Sequence, residues 1–301
     1  MEKRKQIRCT RFEKSSMASA QEIRSQARRL EEVPTLPSFF NMVVETIADD
    51  RSRAKDLAEI ISKDQALTAK ILRLANSAYY GRFREVSTVE QAVTIVGFNE
   101  IRSVSLSVAV FGSFSRHLPP RTLESFWVHA LSCSAAVKAI GDRGQEFSVE
   151  KIYFAGLLHD IGKLALNLLF GDDYLSISKV ASREGCEVHE IEERTYGVQH
   201  AKVGEWLAER WHFPSDLLES IAYHHQPLRT GLVRPKVVAT VYLADWFAKQ
   251  SAMGEDTIVP LDPRCMEVLN LLKVQELETV QICREVAAEE VKIREMLSLI
   301  S

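Results

Sequence analysis

Five histidines and two aspartates in this chain have the residue types and the spacing that metal sites require. They are His129, His159, Asp160, His200, His224, His225 and Asp245. Neutral imidazole nitrogens suit borderline transition metals, and an aspartate can offer one oxygen to each of two ions. A single histidine in an apolar helix is usually a packing residue, so the inference depends on the whole set. The other histidines, which we interpret as surface or packing residues, are His117, His189 and His212.

The adjacent pairs His159-Asp160 and His224-His225 indicate more than one metal position. Neighbouring side chains on a helix point about 100° apart, so a pair cannot face one ion unless the backbone loosens there. We therefore expect two divalent ions, about 3.5 to 4 Å apart and bridged by Asp160. The remaining ligands divide into two sets: His129, His159 and Asp245 for one ion, and His200, His224 and His225 for the other. Such a histidine-rich site favours iron, manganese, zinc or nickel over calcium.

Phosphate-ester hydrolysis is the chemistry that this pattern would support. A water molecule held between two cations loses a proton near neutral pH and can attack phosphorus in line. Lys163 follows His159 by four residues, near one helical turn, and could steady a phosphate oxygen as a point charge. Asp160 and Lys163 are therefore the candidate catalytic residues. The alternative interpretation of Lys163 is a solvated lysine at a helix end.

The composition is that of a globular chain: 301 residues, 46% hydrophobic and 26% charged, with a formal net charge of −3. The lack of a basic excess argues against a broad nucleic-acid surface. The longest apolar stretches, around 104–111 and 237–247, are shorter than the roughly 18 to 20 residues of a membrane span, and no apolar core follows the basic N-terminus. Five cysteines without a CxxC pair predict a reducing, cytoplasmic location and thiols that are structural or incidental: Cys9, Cys133, Cys186, Cys265 and Cys283.

The elements that must position these residues are helices. Apolar residues recur at helical spacing along most of the chain and hairpin signals are weak, which predicts an all-α multi-helix bundle. We divide the chain into a tail and helix (1–32), a helical N-terminal half (33–120), a helical half with the metal residues (121–250) and C-terminal helices (251–301). The local expectations are a helix over Ala20–Leu30, a left-handed cap at Gly81, a capping box over Ser87–Glu90 and a helix break over Gly141–Gln145.

Several strings carry a family resemblance. Leu157-Leu-His-Asp-Ile-Gly-Lys163, with the histidines around it and Asp245, resembles the HD superfamily of metal-dependent phosphohydrolases, and the ligand order looks like that of the HD-GYP cyclic-dinucleotide phosphodiesterases. The strings that are similar to the HD-related output domain, HDOD, are Leu36-Pro-Ser-Phe, Ile61-Ser-Lys-Asp-Gln-Ala-Leu-Thr, Leu72-Arg-Leu-Ala-Asn-Ser-Ala-Tyr-Tyr-Gly81 and Ser87-Thr-Val-Glu-Gln-Ala-Val. With Trp127-Val-His129 and Trp211-His-Phe-Pro214, this similarity extends from about residue 33 to residue 245.

The chain departs from the HD-GYP pattern at two places. The segment Gln226-Pro-Leu-Arg-Thr-Gly231 follows His225 where that group has Gly-Tyr-Pro. Ser125 stands four residues before His129, where a carboxylate would serve a third metal. These departures argue against cyclic-dinucleotide hydrolysis.

The HDOD resemblance implies a bacterial helical module of signal-transduction systems, whose partner is a signalling protein or a nucleotide-type ligand. Three functions stay open at this point. One is a regulatory output module whose metal holds together helices that are distant in sequence. The second is a metal-dependent phosphohydrolase or phosphodiesterase, and the third is a metal-free interaction scaffold. None of them requires an organic cofactor, a membrane or a nucleic acid.

Overall fold

The computed structural model describes residues 40, 42–43, 53–77, 86–115, 117–144, 149–253 and 261–300. This part of the chain is helical and contains no strand, which confirms the all-α prediction. The expected Ala20–Leu30 helix, the tail before it and the Gly81 cap lie outside the described residues.

Four helices belong to the N-terminal half: α1 (Ala54–Ser62), α2 (Gln65–Ala75), α3 (Val89–Val96) and α4 (Phe98–Phe114). The next eight are α5 (Pro120–Gly144), α6 (Val149–Leu158), α7 (Ile161–Phe170), α8 (Asp172–Glu184), α9 (Val188–Tyr196), α10 (His200–Arg210), α11 (Ser215–Tyr223) and α12 (Pro235–Ser251). The C-terminal segment contains α13 (Pro263–Leu272), a 3₁₀ turn (Glu276–Glu278) and α14 (Thr279–Ile300).

The N-terminal half packs α1, α2, α3 and α4 against one another around apolar side chains. Its capping box lies one residue later than the sequence predicted. Thr88, rather than Ser87, accepts from the backbone N–H of Gln91, and the Gln91 side chain returns to the backbone N–H of Thr88. The shift has a simple cause, because a glutamine completes a capping box as well as a glutamate does.

Helix α5 is the central element of the second half. It packs against α6, α12 and α14, and it runs without interruption through Gly141 to Gly144. The expected break at Gly141–Gln145 is therefore wrong for its first four residues, and the rest lies outside the described part. Burial of Gly141 within these contacts offsets the roughly 1 kcal/mol by which glycine disfavours a helix.

Two glycines allow α7 and α10 to approach closely. A Cβ added at Gly162 would lie 2.0 Å from the carbonyl oxygen of His200 and 2.6 Å from the backbone nitrogen of Gly204. Only a residue without a side chain fits there, so Gly162 sets the distance between the two helix starts that carry Asp160 and His200.

Residues 152–170 have the length and apolar composition of a membrane-crossing helix, with a mean hydropathy of 1.2. The stretch includes the turn at His159 and Asp160, and 78% of it is buried inside the protein. These features are typical of a core helix pair in a folded domain.

Candidate metal centre

The structure brings the seven predicted ligands together from five segments. His129 lies in the middle of α5, and His159 and Asp160 occupy the turn between α6 and α7. His200 is the first residue of α10, and Asp245 lies in α12. His224 and His225 follow the last residue of α11 directly. Both adjacent pairs therefore stand at helix ends, where the backbone is free to aim neighbouring side chains at one space.

We define the first cluster as His129, His159 and Asp245. The Nε2 atom of His129 lies 3.2 Å from Oδ1 of Asp245, and the Nε2 atom of His159 lies 3.9 Å from the same oxygen. Cys133 stands beside them, with Sγ 3.5 Å from Nε2 of His129. The donor atoms of all four side chains lie within 4.8 Å of one another, which is close enough for a single cation.

We define the second cluster as His200, His224 and His225. The Nε2 atom of His200 lies 3.2 Å from Nε2 of His224 and 3.0 Å from Nε2 of His225. His189 stacks on the outer side of His225, with ring centroids 4.0 Å apart. Three imidazole nitrogens meeting at these distances form a second position suited to a cation.

Asp160 lies between the two clusters and faces each with a different oxygen. Its Oδ2 atom is 3.4 Å from Nε2 of both His129 and His159. Its Oδ1 atom is 3.0 Å from Nε2 of His200 and 3.6 Å from Nε2 of His224. The carboxylate thus has the placement of a bridging ligand.

Backbone contacts determine which nitrogen of two histidines carries the proton. Nδ1 of His159 lies 2.8 Å from the carbonyl oxygen of Gly156, and Nδ1 of His224 lies 2.9 Å from that of Ile221. A carbonyl oxygen only accepts, so each Nδ1 donates and each Nε2 presents a lone pair. Burial also lowers the pKa of His224 to about 4, which keeps this ring neutral at pH 7.

For His200, a buried carboxylate determines that Nδ1 carries a proton. Glu192, fully buried in α9, accepts from Nδ1 of His200 at 2.6 Å and from its backbone N–H at 2.8 Å. The Tyr174 hydroxyl donates to the other oxygen at 2.6 Å. Burial alone would raise the pKa of Glu192, but the His200 ring and these hydrogen bonds lower it, so the carboxylate stays ionised. Nδ1 of His200 therefore carries a proton, and its Nε2 faces Oδ1 of Asp160 at 3.0 Å. Burial by itself would lower the pKa of His200, but Glu192 and Asp160 raise it above its ordinary value.

Three buried polar atoms of the site lack a hydrogen-bond partner, which indicates that the site fits a cation. Nε2 of His159, Oδ1 of Asp160 and Oδ1 of Asp245 are buried and have no hydrogen-bond partner. Lone pairs that face one another at 3.0 to 3.9 Å repel unless a proton or a metal ion lies between them. Nitrogen and carboxylate donors of this kind suit a divalent transition metal.

The carboxylates make the site attractive to positive charge. Burial by itself would lower the pKa of His129, but the neighbouring Cys133 and the contacts with Asp160 and Asp245 raise it well above its usual value. Burial would likewise raise the pKa of Asp160, but His159 and the other charges around it hold that pKa well below its usual range. The field that draws a proton to His129 is the same field that would draw a metal ion.

Two lysines flank the carboxylates. Nζ of Lys163 donates to Oδ2 of Asp160 at 2.6 Å, and Nζ of Lys249 donates to Oδ2 of Asp245 at 2.7 Å. Burial would lower the pKa of Lys249, but Asp245 raises it above its ordinary value, so the ammonium stays charged. Lys249 leaves Oδ1 of Asp245 directed at the histidines of the first cluster, whereas Lys163 shares Oδ2 of Asp160 with His129 and His159.

Some residues around the site had not been singled out from the sequence. Cys133 and Lys249 each stand four residues after a proposed ligand, so helical spacing alone could have found them. Glu192 had no such signal, because its link to His200 depends on how α9 packs against α10. Ser125 donates its hydroxyl to the carbonyl oxygen of Thr122 at 3.0 Å, within its own helix.

The chain matches a family of known proteins. The HDOD domain profile matches residues 33–227, which is well over half of the chain. The chain belongs to the HDOD family. This result confirms the resemblance that the sequence strings indicated in both halves of the protein.

Solved structures share the fold. An HDOD domain protein of unknown function from Geobacter sulfurreducens is 25% identical, with a TM-score of 0.73 over 92% of this chain and 98% of that one. A protein from Marinobacter aquaeolei named "Putative signal transduction protein" is 18% identical, with a TM-score of 0.76 over 93% of this chain and 65% of that one. A "Putative phosphohydrolase" from Shewanella amazonensis is 22% identical, with a TM-score of 0.68 over 92% and 97% of the two chains.

A longer relative also matches. An uncharacterized protein of Treponema pallidum is 25% identical over 255 residues, which cover 83% of this chain and 48% of that protein. The chain thus spans about half the length of the curated relative.

Proposed function

We propose that this protein is a cytoplasmic regulatory output module of signal transduction, in which divalent transition metal at the two clusters fixes the packing of helices that are distant in sequence. The observation that carries the proposal is the set of nitrogen and oxygen donor atoms that converge on Asp160 from α5, α10, the end of α11 and the α6–α7 turn. HDOD membership supports the regulatory role. The module acts on a signalling protein or a nucleotide-type ligand.

The enclosure of the site favours a structural role for the metal. His159, His200 and His224 are completely buried, and the side chain of Asp160 is 2% exposed. Structural metal sites are closed by protein ligands, whereas catalytic sites keep one position open to water or substrate. Among the ligands, solvent reaches His129, whose side chain is 24% exposed, and the partly buried His225.

When bound, the metal would supply a charge that holds all the donors together and a Lewis acid for an adjacent phosphate oxygen. The residues that would hold it are His129, His159 and Asp245 at one position, His200, His224 and His225 at the other, and Asp160 at both. The chain's own residues prepare these positions in advance. Glu192 and the backbone carbonyl oxygens fix a proton on Nδ1 of three rings, so that the three Nε2 atoms are the ones that face the metal positions.

The second candidate function is a metal-dependent phosphohydrolase, and one observation favours it. Lys163 and Lys249 place ammonium groups on the partly exposed side of the site, next to the carboxylates, with side-chain exposures of 23% and 37%. Ammonium groups in such a place can bind the oxygens of a phosphate ester. In this function Lys163 would orient the substrate, and Asp160 would hold the reacting centre.

Metal analysis and one substitution separate the functions. We expect the purified protein to contain divalent metal, and Asp160→Asn to release it. The melting temperature should fall by roughly 6 to 20 °C, because a buried charge network that loses one partner costs about 3 to 5 kcal/mol. The matched control is Asp142→Asn, on the exposed surface of α5, which should change neither property.

The same two proteins are then assayed with bis(p-nitrophenyl) phosphate. Metal-dependent turnover that Asp160→Asn abolishes, with the melting temperature unchanged, would replace the regulatory proposal by the phosphohydrolase. A wild-type protein without metal, and an Asp160→Asn variant of equal stability, would leave only the interaction scaffold.

A further inference from the structure

Cys133 is a buried thiol beside the first cluster. It lies in α5 one helical turn after His129, so the two side chains share a face of the helix. Its side chain is completely buried, and Sγ lies 3.5 Å from the Nε2 atom that also faces Asp160 and Asp245. The sulfur therefore borders the same space as the nitrogen and oxygen donors.

A second observation points to a ligand in that space. Nε2 of His159 and Oδ1 of Asp245 are both buried, both directed into the first cluster, and both without a hydrogen-bond partner. Their donor atoms lie within 4.8 Å of the sulfur. A cation that satisfied these two atoms would have the thiol within reach as well.

We propose that Cys133 is an additional ligand at the first cluster, bound as a thiolate together with His129, His159, Asp245 and the bridging Asp160. This inference rests on the proposed metal site and adds the class of cation that it takes. As the cation binds, the thiol releases its proton to solvent and the sulfur lone pair forms the metal bond. A sulfur among nitrogen and carboxylate oxygen donors selects zinc, cobalt or iron, and it discriminates against hard cations such as magnesium or calcium.

The alternative is that Cys133 only packs behind His129 as a small apolar residue. The chain provides a comparison for this case in Cys265, which is also completely buried but lies in α13. Its sulfur contacts the hydroxyl of Tyr242 at 3.7 Å. Cys265 thus controls for the loss of a buried thiol without the loss of a ligand.

The test is the absorption spectrum of the full-length protein after exchange with cobalt(II). A thiolate bound to cobalt gives a charge-transfer band in the near ultraviolet, which imidazole and carboxylate ligands do not give. We expect this band in the wild-type protein and in Cys265→Ser, and we expect its loss in Cys133→Ser. In the same variant, zinc affinity should fall by at least about tenfold, because even indirect partners of a metal ligand contribute that much. Manganese affinity should fall by a much smaller factor.

The wild-type spectrum decides the inference even if Cys133→Ser fails to fold. Cobalt bound in stoichiometric amount without the charge-transfer band would overturn the role of Cys133 and leave the proposed metal site intact. A wild-type protein that binds no cobalt or zinc would overturn both. Equal losses of zinc and manganese affinity in Cys133→Ser would also contradict a thiolate ligand.

Discussion

The two donor clusters lie on either side of Asp160 and are built in different ways. The first cluster takes two of its three donors from long helices, α5 and α12, and contains a carboxylate that is paired with a lysine. The second contains only imidazoles, two of them adjacent in sequence. Its negative charge comes from Glu192, which accepts a hydrogen bond from Nδ1 of His200. The first position therefore offers charge directly, and the second offers neutral nitrogens whose basicity is raised indirectly.

This difference indicates that the two positions bind cations unequally. A hydrogen bond from a ligating imidazole to a carboxylate raises the basicity of the other nitrogen and fixes the ring. His200 has such a hydrogen bond to a carboxylate, whereas Nδ1 of His159 and Nδ1 of His224 contact only backbone carbonyl oxygens. The second cluster should thus depend on Glu192 in a way that the first does not.

The largest expected effect comes from separating the clusters. Gly162→Ala would place a methyl group 2.0 Å from the carbonyl oxygen of His200, and backbone cannot move aside as a side chain can. Helices α7 and α10 must then move apart, which we expect to cost at least about 3 kcal/mol. The melting temperature should fall by roughly 6 to 12 °C, as measured by calorimetry. Metal analysis should show that the metal bridged by Asp160 is lost.

A glycine in an open position provides the control. Nothing lies within 4 Å of a Cβ added at Gly112 in α4, so Gly112→Ala should stabilise the helix by about 0.5 to 1 kcal/mol. If Gly162→Ala melted at the wild-type temperature and kept its metal, the close approach of α7 and α10 would not be what joins the clusters.

A smaller effect should distinguish the clusters. Glu192→Gln keeps the size of the side chain but removes its charge, so affinity at the second cluster should fall by about 10- to 100-fold. The first cluster should be affected little. Titration with zinc, followed by calorimetry, should show one binding step weakened and the other retained.

Glu193→Gln is the matched control, because Glu193 is the next residue of the same helix and is exposed. It should leave both steps unchanged. Equal weakening of both steps by Glu192→Gln would show that the two positions act as one site and would remove the distinction drawn between them.

Much of this architecture is readable from the sequence because its signals are local. Helical periodicity predicted the all-α fold, and the motif strings identified the HDOD family. The placement of His200 at a helix start, and of His224 just after a helix end, followed from Pro214 and from the apolar spacing around it. Signals of this kind extend over three or four residues, which is the range of a helical turn.

Features that depend on tertiary packing were not readable. Helix α5 continues through the buried Gly141 and is held near its end by α14, where Arg143 binds Glu285, and no local pattern indicates that neighbour. Glu192 supports His200 across two helices, eight residues away. The cysteines were interpreted as structural or incidental from their scattered spacing, and only the structure shows that the sulfur of Cys133 borders a histidine of the first cluster. The seven metal residues lie together, but their metal binding stays a prediction.

The smallest expected effect concerns the support of the first cluster by α14, which packs on both α5 and α12. Arg143 in α5 binds Glu285 in α14 through two hydrogen bonds of 2.8 and 3.0 Å. Since the glutamate is 40% exposed, Arg143→Met should cost only about 0.5 to 1 kcal/mol and leave metal content unchanged. The hydrogen bond from Arg143 lowers the pKa of Glu285. The stabilisation by this pair is therefore complete above the unfolded glutamate pKa of about 4.3, and it is lost as pH falls through the lower pKa of the folded state. Thermal denaturation of both proteins should therefore show a melting difference that is constant near neutral pH and shrinks below about pH 4. A difference that did not change with pH, or a variant that lost metal, would show that α14 supports the first cluster by another route.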